Sequence, residues 1–311
     1  MPSRRLFADS ALLFVAFIWG LTFVMVQDAV QAYPVFAFLA TRFLFALLGL
    51  LPILIWRRRD LRPTAREAAL RRQLSAGVLT GVLLFAGYSF QTAGLLYTTP
   101  AKAAFITGLG VTIVPVLGIL FGTEKPTKAV IAGVTLAVLG LGFLTLSGSQ
   151  IGAGLNLGDL LVLGCAFSFA AHIFAVGRFA PVANPLLFTT AQIATVTVLA
   201  GGASLLFERG TPWPPTGQPL FAALFTGLLA TALAFGVQSA AQRFTTATHT
   251  ALIFATEPVF GALGSYLLIG EVLTPAQLLG SALILAGMLA AEMGQGFLTW
   301  GRKLRPADNN G

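Results

Sequence analysis

The chain has 311 residues, of which 56% are hydrophobic and only 10% charged, with a mean hydropathy of +0.85. Soluble globular chains carry roughly 25% charge, so this composition excludes a soluble enzyme or a nucleic-acid-binding domain. The net charge of +8 and the pI near 10.4 must then be explained inside a membrane protein.

Crossing a hydrocarbon core of about 30 Å takes roughly twenty apolar residues. In chain order such stretches fall at 10–27, 36–56, 74–94, 103–122, 129–147, 158–177, 186–206, 219–238, 249–268 and 276–293. Short loops join them, so the pattern predicts an all-α membrane protein of ten transmembrane helices. With the N-terminus in the cytoplasm, sixteen of the nineteen basic residues lie in cytoplasmic loops or tails, seven of them between positions 57 and 72. Lys102 and Arg209 fall on the other side, and Arg42 lies within a span. That asymmetry follows the positive-inside rule. It predicts cytoplasmic N- and C-termini and makes the basic pI a signature of topology, with no nucleic-acid partner implied. The expected location is the bacterial inner (plasma) membrane.

The single cysteine, Cys165, lies in an apolar span, so neither a disulfide framework nor a metal cluster is expected. Arg4 and Arg5 before the first apolar run, with "AVQA" after it, resemble a signal peptide. The second half has a counterpart to this run, which favours an uncleaved first helix.

The chain is written twice. Residues 91–140 align without a gap onto 238–287 at a constant offset of 147. Gln91 meets Gln238, Thr98-Thr99 meet Thr245-Thr246, Glu124 meets Glu271, Thr127 meets Thr274, Gly133 meets Gly280 and Gly140 meets Gly287. Upstream the match is weaker, with Asp9 and Trp19 facing Asp159 and Phe169 at an offset of 150. Two five-helix units are expected, residues 1–150 and residues 151–311, the second ending in a short cytoplasmic tail. An odd number of crossings brings the second unit in from the opposite side. Inverted repeats of this kind recur in secondary transporters, with substrate bound near the midplane between the halves.

The motifs "FIWGLTFV" (17–24), "ATRFLFA" (40–46), "AFITGLGVTIVP" (104–115) and "TEPVFGALGSYLLIGEVLTPAQLLGSALILAGM" (256–288) carry a resemblance to a known family. The chain resembles the drug/metabolite transporter (DMT) superfamily in its EamA branch, nearly end to end. The resemblance implies ten helices around a central cavity and export of metabolites, amino acids among them. It also marks Arg42 as characteristic. One departure stands out. The first half reads Glu124-Lys125-Pro126 where the second reads Glu271-Val272-Leu273, so the halves are not interchangeable.

Glu257 is the leading site candidate. As the tenth residue of a span beginning near 248, it lies about 14 Å deep, and an ionisable group there is a functional candidate by default. It can exchange a proton as the cavity alternates between sides, or receive a substrate's amino group. Pro258 beside it removes a backbone N–H and allows a hinge. The structural alternative is a carboxylate bonded to a neighbouring helix. Arg42, about 10 Å from the outer end of its span, suits a substrate carboxylate, because the guanidinium fork matches that group bidentately. It could equally hold a fixed ion pair.

Gln91 and Gln238 can bond a ligand or simply join helices. Trp19, Phe23, Phe85, Tyr88, Phe105 and Phe235 are candidates for an aromatic cavity wall. His172, mid-span, reads first as a hydrogen-bonded packing residue and second as a proton relay. Lys102 and His249 share one repeat position at the mouths of two helices. They are gating candidates, with ordinary interface residues as the simpler reading. Glu124 and Glu271 read as structural caps for the helix that follows each.

No nucleotide-binding loop, paired-aspartate site or zinc motif is present, so no catalytic residue, metal or cofactor is expected, and the protein is not read as an enzyme. The expected function is a secondary transporter exporting a small metabolite by alternating access, most readily amino acids, aromatic or hydrophobic ones included. The alternatives are a multidrug exporter of lipophilic cations and, further off, a non-transporting receptor or assembly subunit. A phosphorylated-sugar exchanger would want more deep cations than Arg42. The expected partners are a small-molecule substrate and the lipid bilayer, in a monomer or a dimer.

Overall fold

The computed structural model describes residues 2–56, 67–123, 125, 127–146 and 156–303. Glu124 and the expected boundary at 150/151 lie outside the described residues. Among those residues every regular element is helical: α1 (Pro2–Ala32), α2 (Val35–Trp56), α3 (Glu67–Gly94), α4 (Pro100–Gly108), α5 (Gly110–Leu120), α6 (Lys128–Leu146), α7 (Leu157–Phe179), α8 (Pro185–Phe207), α9 (Gly217–Gly227), α10 (Ala234–Ala241), α11 (Ala247–Phe254), α12 (Glu257–Ile269) and α13 (Pro275–Lys303). Seven helical segments are long and apolar enough to cross a membrane, and Lys128–Leu144, Glu257–Ile269 and Pro275–Ala290 are shorter apolar helices. Seven such helices among the described residues make the chain an integral membrane protein, and helices suit lipid because they pair every backbone polar group locally.

Local chemistry sets the helix starts. Asn156 and Asp159 form a reciprocal capping box at α7, and Asn184 accepts from Leu186 N and Leu187 N ahead of Pro185 at α8. At α4, Thr99 precedes Pro100 and its hydroxyl accepts from Lys102 N. Such side chains satisfy N–H groups that have no partner inside the helix.

Three of the apolar stretches are not continuous α-helix. The first breaks at Leu109, between α4 and α5. The second breaks at Ala255–Thr256, between α11 and α12, where Thr256 N turns back to Ile253 O and Pro258 has no N–H to offer. Leu109 and Thr256 are one repeat offset of 147 apart. The third carries a π-helical turn, Leu228–Leu233, between α9 and α10.

Glycines bring the helices together. A Cβ on Gly140 would lie 2.5 Å from the Gly280 carbonyl oxygen, and one on Gly287 would lie 2.5 Å from that of Gly133. Contacts that advance along α6 while retreating along α13 mean that these two helices pack antiparallel. Gly77 and Gly81 seat α3 on Ala191 and Thr195 of α8, and Gly20 seats α1 on Gly261 of α12. Without a hydrophobic drive between helices in lipid, this close backbone approach supplies the association.

Candidate functional site

A cavity of about 70 Å³ lies where α1, α2, α3, α7 and α10 meet the two helix breaks. Helical spacing explains which side chains reach it. From α1 come Trp19, Thr22, Phe23 and Val26, one face at i, i+3, i+4, i+7; α3 supplies Tyr88 and Gln91, the turn after it Leu95, and α7 supplies Phe169, His172 and Ile173. Phe235 and Gln238 enter from α10, Thr107, Gly108, Gly110 and Val111 from the α4–α5 break, and Phe254 and Glu257 from the α11–α12 break. The sequence candidates Glu257, Arg42, Gln91, Gln238, Trp19, Phe23, Tyr88 and His172 therefore meet at one place. Phe85 and Phe105 do not: Phe85 packs against Phe36 and Phe105 is buried in the core.

Arg42 is buried, and its hydrogen-bond partners are hydroxyl groups rather than a carboxylate. Its Nε donates to Thr231 Oγ1 at 2.9 Å and its Nη2 to the Tyr88 hydroxyl at 3.1 Å. The guanidinium carbon stands 4.5 Å from the Tyr88 ring centroid, a cation–π distance. Thr231 is positioned by the π turn, where its hydroxyl donates to Thr226 O, five residues back, at 2.9 Å. The same turn presents Ala230 O to Trp19 Nε1 at 2.8 Å. Single π turns of this sort concentrate at functional sites.

Glu257 is the first residue of α12, not a mid-helix residue on a continuous span. The reason is Pro258, buried directly behind it against Gly108, where a Cβ would come 2.5 Å from the proline Cγ. Among the described residues the Glu257 carboxylate makes no hydrogen bond or ion pair, and none joins it to Arg42. Gln91 Nε2 donates to Thr107 Oγ1 at 3.2 Å and Gln238 Nε2 to Gln242 Oε1 at 3.1 Å, while Gln238 Oε1 is buried without a partner. His172 Nε2 lies 2.7 Å from Gln192 Oε1.

The wall is built from repeated positions. Trp19, Thr22 and Phe23 correspond at an offset of 150 to Phe169, His172 and Ile173, and Tyr88, Gln91, Thr107 and Gly110 correspond at 147 to Phe235, Gln238, Phe254 and Glu257. Arg42 corresponds to Gln192, behind His172, and Glu257 to Gly110, so the repeated positions contribute one guanidinium and one carboxyl group to the wall.

The remaining candidates stand outside the cavity. Lys102 Nζ pairs with Asp159 Oδ2 at 2.8 Å, and His249 Nε2 with Asp9 Oδ1 at 3.0 Å. Glu271 does not cap the helix after it. Its Oε2 accepts from Ala101 N at the start of α4 and from the Ser265 hydroxyl of α12. The N-terminus of α13 is capped instead by Thr274, whose Oγ1 accepts from Gln277 N while its N donates to Gln277 Oε1. The Thr274-x-x-Gln277 spacing is a capping-box signature that the sequence reading passed over. It also missed Phe169, although the offset that pairs Trp19 with Phe169 was available to find it. Thr231 had no such signal.

The family model of the EamA-like transporter family matches residues 6–146 and 156–291. An uncharacterized transporter of Archaeoglobus fulgidus is 33% identical over 291 residues, covering 93% of this chain and 87% of that one. A probable amino-acid metabolite efflux pump of Salmonella typhimurium is 27% identical across 89% of this chain and 91% of its own length. The threonine/homoserine exporter RhtA of Escherichia coli is 31% identical across 68% and 70%. A solved crystal structure superposes with a TM-score of 0.67 at 20% identity, covering 93% of this chain and 98% of that chain, which establishes the shared fold. The chain belongs to the EamA-like transporter family of the drug/metabolite transporter superfamily, and is a membrane transporter of small molecules rather than an enzyme.

Proposed function

We propose that the protein exports a small amino acid by alternating access, with the substrate carboxylate on Arg42 and its ammonium group, or an exchanged proton, on Glu257. The observation that carries this reading is that one guanidinium, on Arg42, and one carboxyl group, on Glu257, line one cavity without touching each other. A zwitterion presents a complementary group to each. The cavity volume of about 70 Å³ is room for roughly five to seven water-sized probes, which favours a small amino acid over an aromatic one. The names of the Salmonella and Escherichia relatives agree with an amino-acid cargo.

The transport unit is read as ten crossings in two inverted five-helix repeats, 1–150 and 151–311, in the bacterial inner membrane with both termini cytoplasmic. The recurrence of wall positions at offsets of 150 and 147, the paired breaks at Leu109 and Thr256 and the antiparallel α6–α13 contact all support that arrangement. Export of lipophilic cations is the second reading, favoured by the aromatic wall around Glu257. The Arg42 cation in the same cavity weighs against it.

The test is uptake into proteoliposomes of a panel of labelled amino acids and organic cations, with and without a pH gradient, on wild type and Glu257→Gln. Gradient-driven accumulation of small amino acids that the variant loses, while it still exchanges them, makes Glu257 the proton site. Uptake of cations alone would overturn the amino-acid reading. An unaltered variant would move the search to Arg42.

A further inference from the structure

The Asp9–His249 contact and the Lys102–Asp159 ion pair bracket the cavity, and we propose that they are its alternating locks, with Asp9 and Asp159 acting as positioning residues for transport through His249 and Lys102. The proposal rests on the alternating-access reading above and adds residues to it that lie outside the cavity.

The two pairs are one interaction made twice. Lys102 and His249 are equivalent at an offset of 147, and Asp159 and Asp9 at 150. Each pair joins one half of the chain to the other: Asp9 on α1 to His249 on α11, and Lys102 on α4 to Asp159 on α7. They also stand at opposite ends of the molecule. Asp9 lies in the early turns of α1, and Gln27, 18 residues on, is about 27 Å further along the axis. There the Gln27 amide donates to Leu95 O and Thr98 O, both at 2.8 Å, and the Thr98 hydroxyl donates to Asp159 Oδ1 at 2.7 Å. One pair thus closes the end of α1 near its N-terminus, and the other closes the far end. The cavity-facing residues Trp19, Thr22 and Phe23 lie between Asp9 and Gln27 on the same helix.

The locks are unequal. The side chains of His249 and Asp9 are 26% and 29% exposed, against 9% and 0% for Lys102 and Asp159. An exposed pair is held weakly because water competes for both partners. A buried pair cannot lose one partner without stranding the other charge. The Asp9–His249 end is therefore the one released first, and the cavity fills from the side that carries the N-terminus, which is the loading side an exporter with a cytoplasmic N-terminus needs.

The experiment uses the full chain in right-side-out and inside-out vesicles, in a Cys165→Ser background with Thr22→Cys as the cavity reporter. The probe is a membrane-impermeant methanethiosulfonate added from one face at a time. Asp9→Asn is expected to raise labelling from the N-terminal face by on the order of fivefold or more and to lower it from the other. Asp159→Asn, which keeps an acceptor for Thr98, should shift labelling the opposite way. Lys102→Gln, which leaves the Asn156–Asp159 capping box and the Thr98 contact in place, should shift labelling the same way as Asp159→Asn, which controls for damage to the α7 cap. Shifts in the same direction for Asp9→Asn and Asp159→Asn, or none, overturn the locks. A reporter labelled from only one face in every variant overturns alternating access itself, and the locks with it.

Discussion

Arg42 and Glu257 line one cavity and form no ion pair with each other. Two groups that could pair but stay apart in one cavity are held by their own surroundings. Thr231 and Tyr88 do this for Arg42, and the break behind Pro258 does it for Glu257. Under the proposed function, a zwitterionic substrate would supply a partner to each group, which is where its specificity would come from.

If Arg42 receives a carboxylate, the fork matters more than the charge. Arg42→Lys keeps the charge but has no planar fork, so it cannot meet a carboxylate bidentately while it also holds Thr231 and Tyr88. Transport of amino acids should fall by at least roughly tenfold, and the amide of the same amino acid should compete poorly with either protein. Competition by the amide equal to that of the acid would dissociate Arg42 from the carboxylate.

Tyr88→Phe keeps the ring under the guanidinium and removes the hydroxyl that accepts from Nη2. Losing one hydrogen bond to a charged group costs about 1.5 kcal/mol, roughly tenfold in apparent affinity, with little effect on the maximal rate. Initial rates across a substrate series separate the two, and a fall in maximal rate alone would count against a binding role.

The glycine seam can be tested for stability without touching the cavity. Gly140→Leu must push α6 from α13, since even a Cβ would sit 2.5 Å from Gly280 O. A loss of about 1–3 kcal/mol is expected, read as a lower midpoint of thermal unfolding in detergent. Gly142→Ala, on the same helix with nothing within 4 Å of its Cβ, should stay within about 0.5 kcal/mol of wild type. Equal midpoints for the two would refute the close-packed seam.

Glu271→Ala removes the acceptor that ties the start of α4 to Ser265 of α12. A cost of about 1–2 kcal/mol follows from a lost cap, and Thr274→Ala should cost a similar amount at a different place, the start of α13. Unfolding midpoints of the single and double variants check this: additive losses mean separate caps, as expected for sites without shared partners.

Much of the site was legible in the residues themselves. Polar groups in apolar runs, such as Arg42, Gln91 and Glu257, stand out because a bilayer makes them expensive, and they do converge. The glycines at 133, 140, 280 and 287 repeat at the spacing that the helix seam uses. The aromatics were not legible in this way. Phe85 and Phe169 look alike in sequence, and one packs against Phe36 while the other lines the cavity.

What the sequence by itself determined is the class: a bundle of membrane helices with few charges, read through apolar periods that are local properties of the chain. What only the tertiary structure decided is which groups meet. His249 lies 240 residues from Asp9, Glu271 caps α4 rather than α13, and Thr231 reaches Arg42 through a π turn that no residue pattern announces. The physical reason is that lipid and protein interior are equally apolar. A helix in this chain has no wet face to reveal, by contrast, the face that packs, so side-chain partners emerge only when the backbones are in place.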